Sequence, residues 1–144
     1  MEWIKELEEH KELMQELSAF LNEYGFFGLR SAIQQYAAKQ HSYTYNYKGA
    51  ICKINISDIY FLKISGHNIT IHTSHGIYKK YGSLKHELPI LTPYGFVQCS
   101  QSCLVSLHKI TAIRRNNIIL DDNTQLHLSR QFVPKVLLEY SLKK

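Results

Sequence analysis

Residues 59–73 read IYFLKISGHNITIHT, an apolar run, a short polar segment and a second apolar run. Two runs rich in β-branched and aromatic residues, 59–64 and 69–73, flank the polar segment Ser65-Gly66-His67-Asn68. Apolar runs joined by a short segment that contains glycine are typical of a β-hairpin. The stretch therefore predicts two antiparallel strands whose connecting turn carries His67.

Short strands of the same kind are predicted on both sides of this hairpin. Tyr43, Tyr45 and Tyr47 alternate with polar residues, which is the period of two that places one face of a strand on a core. The ten predicted strands cover residues 43–47, 51–56, 59–64, 69–73, 77–80, 96–99, 103–107, 110–114, 117–120 and 125–128. We expect two short helices among them. One follows Ser83 and ends near Glu87 or Leu88 because of Pro89, and the other runs from the cap residue Ser129 to about residue 140.

The first forty residues follow a helical pattern instead. Leu7, Met14 and Leu21 recur every seven residues, which predicts one amphipathic helix over 2–24 that ends at Gly25. A second helix is predicted over 27–39. The fold class is therefore mostly β with about ten short antiparallel strands and short helices, preceded by a two-helix segment. The expected division is a helical segment at 1–41 and a β domain at 42–144.

The basic charge of the chain lies in the β part. Residues 1–40 contain four Lys/Arg and seven Asp/Glu, a net charge of −3, whereas residues 41–144 contain thirteen and five, a net charge of +8. A basic domain attracts polyanions, because each phosphate that it neutralises releases counterions. Composition alone leaves open whether the domain binds nucleic acid or is only basic.

Other classes of protein find little support in the sequence. No apolar run approaches the roughly 20 residues of a membrane helix, and the acidic N-terminus lacks a signal-peptide core, so we expect a cytoplasmic protein with no membrane partner. Three cysteines do not suggest a disulfide framework. The eight histidines form no closely spaced ligand set for a metal. No nucleophile, acid/base pair or cofactor motif stands out, so the sequence predicts neither an enzyme nor a cofactor.

Four segments of the β part, in this order and spacing, resemble the LytTR family of bacterial DNA-binding domains. They are ISDIYFL at 56–62, YGSLKHEL at 81–88, FVQCSQSCLVSLHKI at 96–110 and LHLSR at 126–130. The resemblance covers about residues 43–142. It departs from the family pattern at Gln101 and Ser106, where the family often has asparagine, and at Gln131, where a second basic residue is common.

The resemblance implies a transcription regulator that reads successive major grooves of bent duplex DNA through loops. It makes His67, Gln101 and Arg130 the base-contacting residues. The arginine fork suits guanine O6 and N7, and the glutamine amide suits adenine N6 and N7. It also implies contacts to the DNA backbone from Lys63, Ser65, Asn68, Tyr81, Ser83, Ser100, Ser102 and Lys135. Each of the three base-contacting residues also has a simpler interpretation, as a turn residue, a surface amide or a solvated charge.

Family members commonly carry a phosphoacceptor receiver domain, and the forty residues before the first strand are too few for one. The heptad stripe favours a homodimer through the N-terminal helices, although the helices could instead pack on their own β domain. A regulatory protein partner is also possible. Two other functions remain open at this point: a protein-interaction module and an RNA-binding protein with a basic β domain.

Overall fold

The computed structural model describes residues 2–142. Within this range two helices, α1 (Glu2–Glu9) and α2 (Lys11–Gln40), precede a β part that also contains α3 (Leu84–Leu91) and α4 (Val133–Leu142). The ten strands are β1 (Ser42–Tyr47), β2 (Ala50–Asn55), β3 (Ile59–Ser65), β4 (Asn68–Thr73), β5 (Gly76–Tyr81), β6 (Phe96–Ser100), β7 (Cys103–Ser106), β8 (Ile110–Arg114), β9 (Asn117–Leu120) and β10 (Gln125–His127). The predicted fold class is confirmed.

A five-stranded antiparallel sheet with the order β5-β4-β3-β7-β6 forms the centre of the molecule. Its middle strand β3 is buried on both faces, since Leu62 belongs to one core cluster and its neighbour Phe61 belongs to the other. Successive side chains of a strand point to opposite faces. The apolar run in residues 59–64 therefore indicates a strand covered on both sides.

On one face of this sheet lies the antiparallel hairpin β1–β2, together with α3 and the second part of α2. Tyr43 and Tyr45 are buried there, as the alternation of tyrosines predicts. On the other face lie the three-stranded sheet β10-β9-β8 and α4, which contributes Val136. Cys99 and Cys103 are free thiols buried in this second core, where they act as small apolar residues.

The N-terminal helices differ from the prediction at His10 (φ −99, ψ 82), which separates α1 from α2. The predicted helix end at Gly25 is confirmed, because this residue has a non-helical backbone with a φ of 72 and a ψ of −177. Gly25 therefore divides α2 into a first and a second part. Every buried residue of α2 follows this point, namely Gly28, Ser31 and Ala38. No helix within residues 2–142 is long and apolar enough to cross a membrane.

Two further predictions about helices are wrong. α3 continues through Pro89 to Leu91, beyond the predicted end at Glu87 or Leu88. A proline inside a helix costs about 3 kcal/mol, but the burial of Leu91, which the continuation brings into the core, contributes roughly 1.5–3 kcal/mol. The final helix starts at Val133 rather than at Ser129, because a 3-10 turn over Arg130–Phe132 comes first and the Ser129 side chain makes no capping hydrogen bond.

Candidate nucleic-acid interface

The turn between β3 and β4 presents His67 to solvent. Only Gly66 and His67 lie outside the strands, and the pair Ser65–Asn68 closes the hairpin. Gly66 has a φ of 63, which a two-residue hairpin with glycine at its first position requires. The carbonyl of His67 accepts a hydrogen bond from Gly82 N–H at 2.9 Å. The turn is thus held to the segment that follows β5, while the imidazole stays exposed.

The turn between β6 and β7 presents Gln101 in a similar way. The carbonyl of Ser102 accepts a hydrogen bond from Ile64 N–H at 2.9 Å, so this turn is held against the last residues of β3. Within the turn, Ser100 Oγ accepts a hydrogen bond from Ser102 N–H at 3.3 Å. Gln101 is exposed. Because β3 and β7 are antiparallel neighbours, the turns of His67 and Gln101 lie at the same end of the central sheet.

Arg130 lies beside the outer edge of β6, next to the Gln101 turn. The N–H of Ser129 donates to the carbonyl of Cys99 at 2.9 Å, and Arg130 follows as an exposed residue at the start of the 3-10 turn. Strands in a sheet are about 4.8 Å apart. By this spacing the Gln101 turn is about 10 Å from the His67 turn, and Ser129 is roughly 15–20 Å from the His67 turn. The structure brings all three predicted base-contacting residues to one end of the sheet.

Most of the predicted backbone-contacting residues surround the same end. Ser65, Asn68 and Tyr81 form one cross-strand row over β3, β4 and β5. Ser83 is the N-cap of α3, and its Oγ accepts a hydrogen bond from His86 N–H at 3.2 Å. Lys63, Ser100 and Ser102 lie beside the turns described above. Lys135 is the exception, because it is on α4 and lines a cavity with Arg30 and Glu139.

The register favours one further cation, Lys79, which the sequence leaves open as either a phosphate contact or a solvated strand end. Lys79 pairs with Thr70, and Thr70 pairs with Lys63, so the two lysines share a cross-strand row on one face. Both lysines are exposed. The alternation along β5 already places Lys79 and Tyr81 on one face, and it was the signal that could have identified Lys79.

A buried polar network fixes the strand that leads into this surface. Lys80 Nζ on β5 lies 2.9 Å from Glu87 Oε1 on α3, and Tyr43 on β1 donates a hydrogen bond to the same carboxylate oxygen. Burial, together with the Glu87 carboxylate, raises the pKa of Tyr43 above its ordinary value. The network joins the β1–β2 hairpin, β5 and α3 at the point where β5 ends beside the His67 turn.

The exposed imidazole, amide and guanidinium groups at this end of the sheet lie in the basic part of the chain. Their chemistry is that of a β protein whose loops bind a polyanion.

Comparison with known proteins identifies the family. The model of the LytTr DNA-binding domain matches residues 49–139. The chain therefore belongs to the LytTr DNA-binding domain family, which supports DNA binding in transcription regulation as its function. Among solved structures, the LytTr DNA-binding domain of a putative methyl-accepting/DNA response regulator from Bacillus cereus has the same fold. The two share 16% sequence identity with a TM-score of 0.57, over 67% of this chain and 95% of that one. No curated protein matches the chain.

Proposed function

We propose that this protein is a sequence-specific transcription regulator that reads duplex DNA through loops, with His67, Gln101 and Arg130 contacting base edges in successive major grooves. The observation that carries the proposal is the position of these three exposed residues in neighbouring turns at one end of the sheet. The roughly 15–20 Å between the outer two is about half of the 34–36 Å helical turn of DNA. DNA that bends towards the protein would bring both grooves within reach of the side chains.

The chemistry of each side chain suits a different part of the site. Arg130 can donate two parallel hydrogen bonds to guanine, and Gln101 can both donate to and accept from adenine. His67 can donate to a base acceptor or a phosphate, and its interaction with the polyanion strengthens when the imidazole is protonated. The hydroxyls and lysines around the turns would set the position of the protein on the phosphates. We add Lys79 to this proposed backbone-contacting set.

The proposed regulator acts as a homodimer through its N-terminal helices. The exposed apolar residues of α1 and α2 include Trp3, Leu13 and Tyr24, and nothing in residues 2–24 is buried. A second copy could cover this surface and would give a repeated DNA site its higher affinity by effective concentration. A bacterial cytoplasm is the location that this function implies, and a protein partner on the same helices is the alternative to a second copy.

The test begins with a selection of bound duplexes from a random DNA pool, which supplies the preferred site. Arg130→Ala should then weaken binding to that site by about 1–3 kcal/mol and relax the preference at one position. The measurement is a fluorescence-anisotropy titration of the full chain at several salt concentrations. Lys53→Ala, at an exposed position of β2, is the matched control and should change the affinity little.

The same titrations distinguish the proposal from its alternatives. Unchanged affinity of the Arg130→Ala variant for the selected site would show that the base-contact assignment is wrong. Absence of salt-sensitive duplex binding would favour the protein-interaction module. Displacement of the duplex by single-stranded RNA at lower concentrations than by unlabelled duplex would favour the RNA-binding protein.

A further inference from the structure

A cavity of about 210 Å³ lies between the N-terminal helix α2 and the DNA-binding domain. Its walls come from α2, from α3, from β6 and from the segment that leads into α4. The apolar part of the lining includes Leu88, Phe96, Leu107 and Phe132. The cavity thus combines residues of the helical segment with residues of the family domain, and Lys135 is the one predicted DNA contact that lines it.

The charged groups of the lining favour an anion. Arg30 Nη2 lies 3.3 Å from Glu139 Oε2, so these two charges largely offset each other. Lys135 also lines the cavity, and it forms no ion pair within residues 2–142. Gln34 and Gln98 add amide groups. Because two cations face one carboxylate, the lining carries a net charge of +1.

The volume limits the size of the occupant. Sites for drug-sized ligands have volumes of roughly 300–1,000 Å³, whereas an apolar cavity of about 150 Å³ takes a single benzene ring. We propose that this cavity binds a small organic anion of about ten non-hydrogen atoms. Its carboxylate lies near Lys135, and its apolar body lies among Phe96, Leu107 and Phe132.

Two residues of the cavity wall, Gln98 and Phe132, lie close in sequence to the proposed DNA-reading residues Gln101 and Arg130, which would make the anion an effector of DNA binding. Gln98 Nε2 donates to the carbonyl of Ser100 at 3.0 Å, directly before Gln101. Phe132 belongs to the same 3-10 turn as Arg130. A ligand that repositions Gln98 or Phe132 would change the affinity for DNA, and DNA would change the affinity for the ligand by the same factor. This effector role rests on the proposed function, whereas the binding site itself does not.

Three probes of one shape test the binding site without DNA: 3-phenylpropionate, 3-phenylpropan-1-ol and 3-phenylpropylamine. In NMR titrations of the full chain, the carboxylate should bind saturably and shift the amides of Val97, Gln98 and Phe132. It should bind several-fold more tightly than the alcohol, and the amine should bind most weakly. Lys135→Met retains the apolar stem, so it should weaken carboxylate binding about fivefold and leave alcohol binding unchanged. Lys53→Met on β2 is the matched control and should alter neither.

Any of three results would overturn the assignment of the site: no saturable binding of the carboxylate, an amine that binds as tightly as the carboxylate, or a Lys135→Met variant that binds the carboxylate as tightly as the wild type does. The effector role is tested by the dissociation constant for the selected duplex with and without saturating 3-phenylpropionate. A change of a few-fold or more supports the role, and an unchanged constant removes it. A chain that binds the probe but no DNA would overturn the proposed function and leave the anion site standing.

Discussion

At the scale of single residues, His72 shows how burial near the cationic surface affects a titrating group. Its ring stacks on Phe61 with 4.1 Å between ring centroids, and Nε2 lies 3.2 Å from Thr70 Oγ1. Burial lowers the pKa of His72 below its ordinary value, and the nearby Lys63 lowers it further, while Asp122 opposes the shift. The folded protein therefore favours the neutral imidazole.

The lowered pKa of His72 makes stability fall as the pH falls. Below about pH 6.5 the unfolded chain binds a proton at this histidine more readily than the folded chain does, so its contribution to stability is lost on acidification. His72→Gln should lose less unfolding free energy between about pH 7.5 and pH 5 than the wild type loses. Urea unfolding at both pH values measures this difference. If the His72→Gln variant lost as much unfolding free energy as the wild type between these pH values, the lowered pKa of His72 would not account for the loss.

At the scale of secondary-structure elements, the β3–β4 turn depends on the positive φ of Gly66. An added Cβ would meet no atom within 4 Å, so an alanine here has room and the cost comes from the backbone alone. A left-handed conformation costs a residue with a side chain roughly 1–2 kcal/mol. Gly66→Ala should destabilise the domain by about that amount, as measured by urea unfolding. Ser65→Ala, at the exposed neighbouring position, should stay within about 0.5 kcal/mol of the wild type. Equal stability of the two variants would show that the turn tolerates a side chain at position 66.

Elements with a clear local pattern could be predicted, whereas those decided by packing could not. The period of two in residues 43–47 and the glycine turn at 65–68 are local signals, and both elements form as predicted. The continuation of α3 through Pro89 depends on the burial of Leu91 by distant strands. The break at His10 has no glycine or proline to mark it. Local propensity is a weak guide wherever tertiary contacts outweigh it.

The same distinction applies to the candidate site. Its residues were assigned from ordered motifs, but their arrangement at one sheet end depends on strand order, which brings β7 beside β3 across forty residues of sequence. The register strengthens the case for Lys79 by aligning it with Thr70 and Lys63, while the alternation along β5 is a local signal that already places Lys79 on the face of Tyr81. The cavity beside Lys135 had no sequence signal, because α2, β6 and α4 are far apart along the chain.

At the scale of the whole molecule, the chain divides into a packed β part and an N-terminal segment whose apolar surface is uncovered. Trp3 is 61% exposed and Leu13 is 50% exposed. The part of α2 after Gly25 contacts the β domain on one face, where Ala38 joins the core, but its Phe26, Ile33 and Tyr36 stay exposed. Packing on the chain's own domain therefore accounts for one face of that half alone. A second copy that covered the remaining stripe would remove this apolar area from water, which is the main favourable term in protein association.

The prediction at this scale is a dimer that depends on the first part of α2. Leu13 and Leu17 lie four residues apart on one face of that helix, so replacing both with glutamate would bury uncompensated charge in the proposed interface. Size-exclusion chromatography with light scattering should give the wild type twice the 16.8 kDa mass of one chain and give the double variant the single mass. Leu138→Glu, at a 58% exposed position of α4, controls for the loss of an exposed leucine and should remain dimeric.

The double variant should also lose the extra affinity for a pair of repeats one helical turn apart while retaining its affinity for a single repeat, because effective concentration acts only on a dimer. A wild type that is monomeric at high micromolar concentration would refute the dimer and would favour the alternative of a different protein on the same helices.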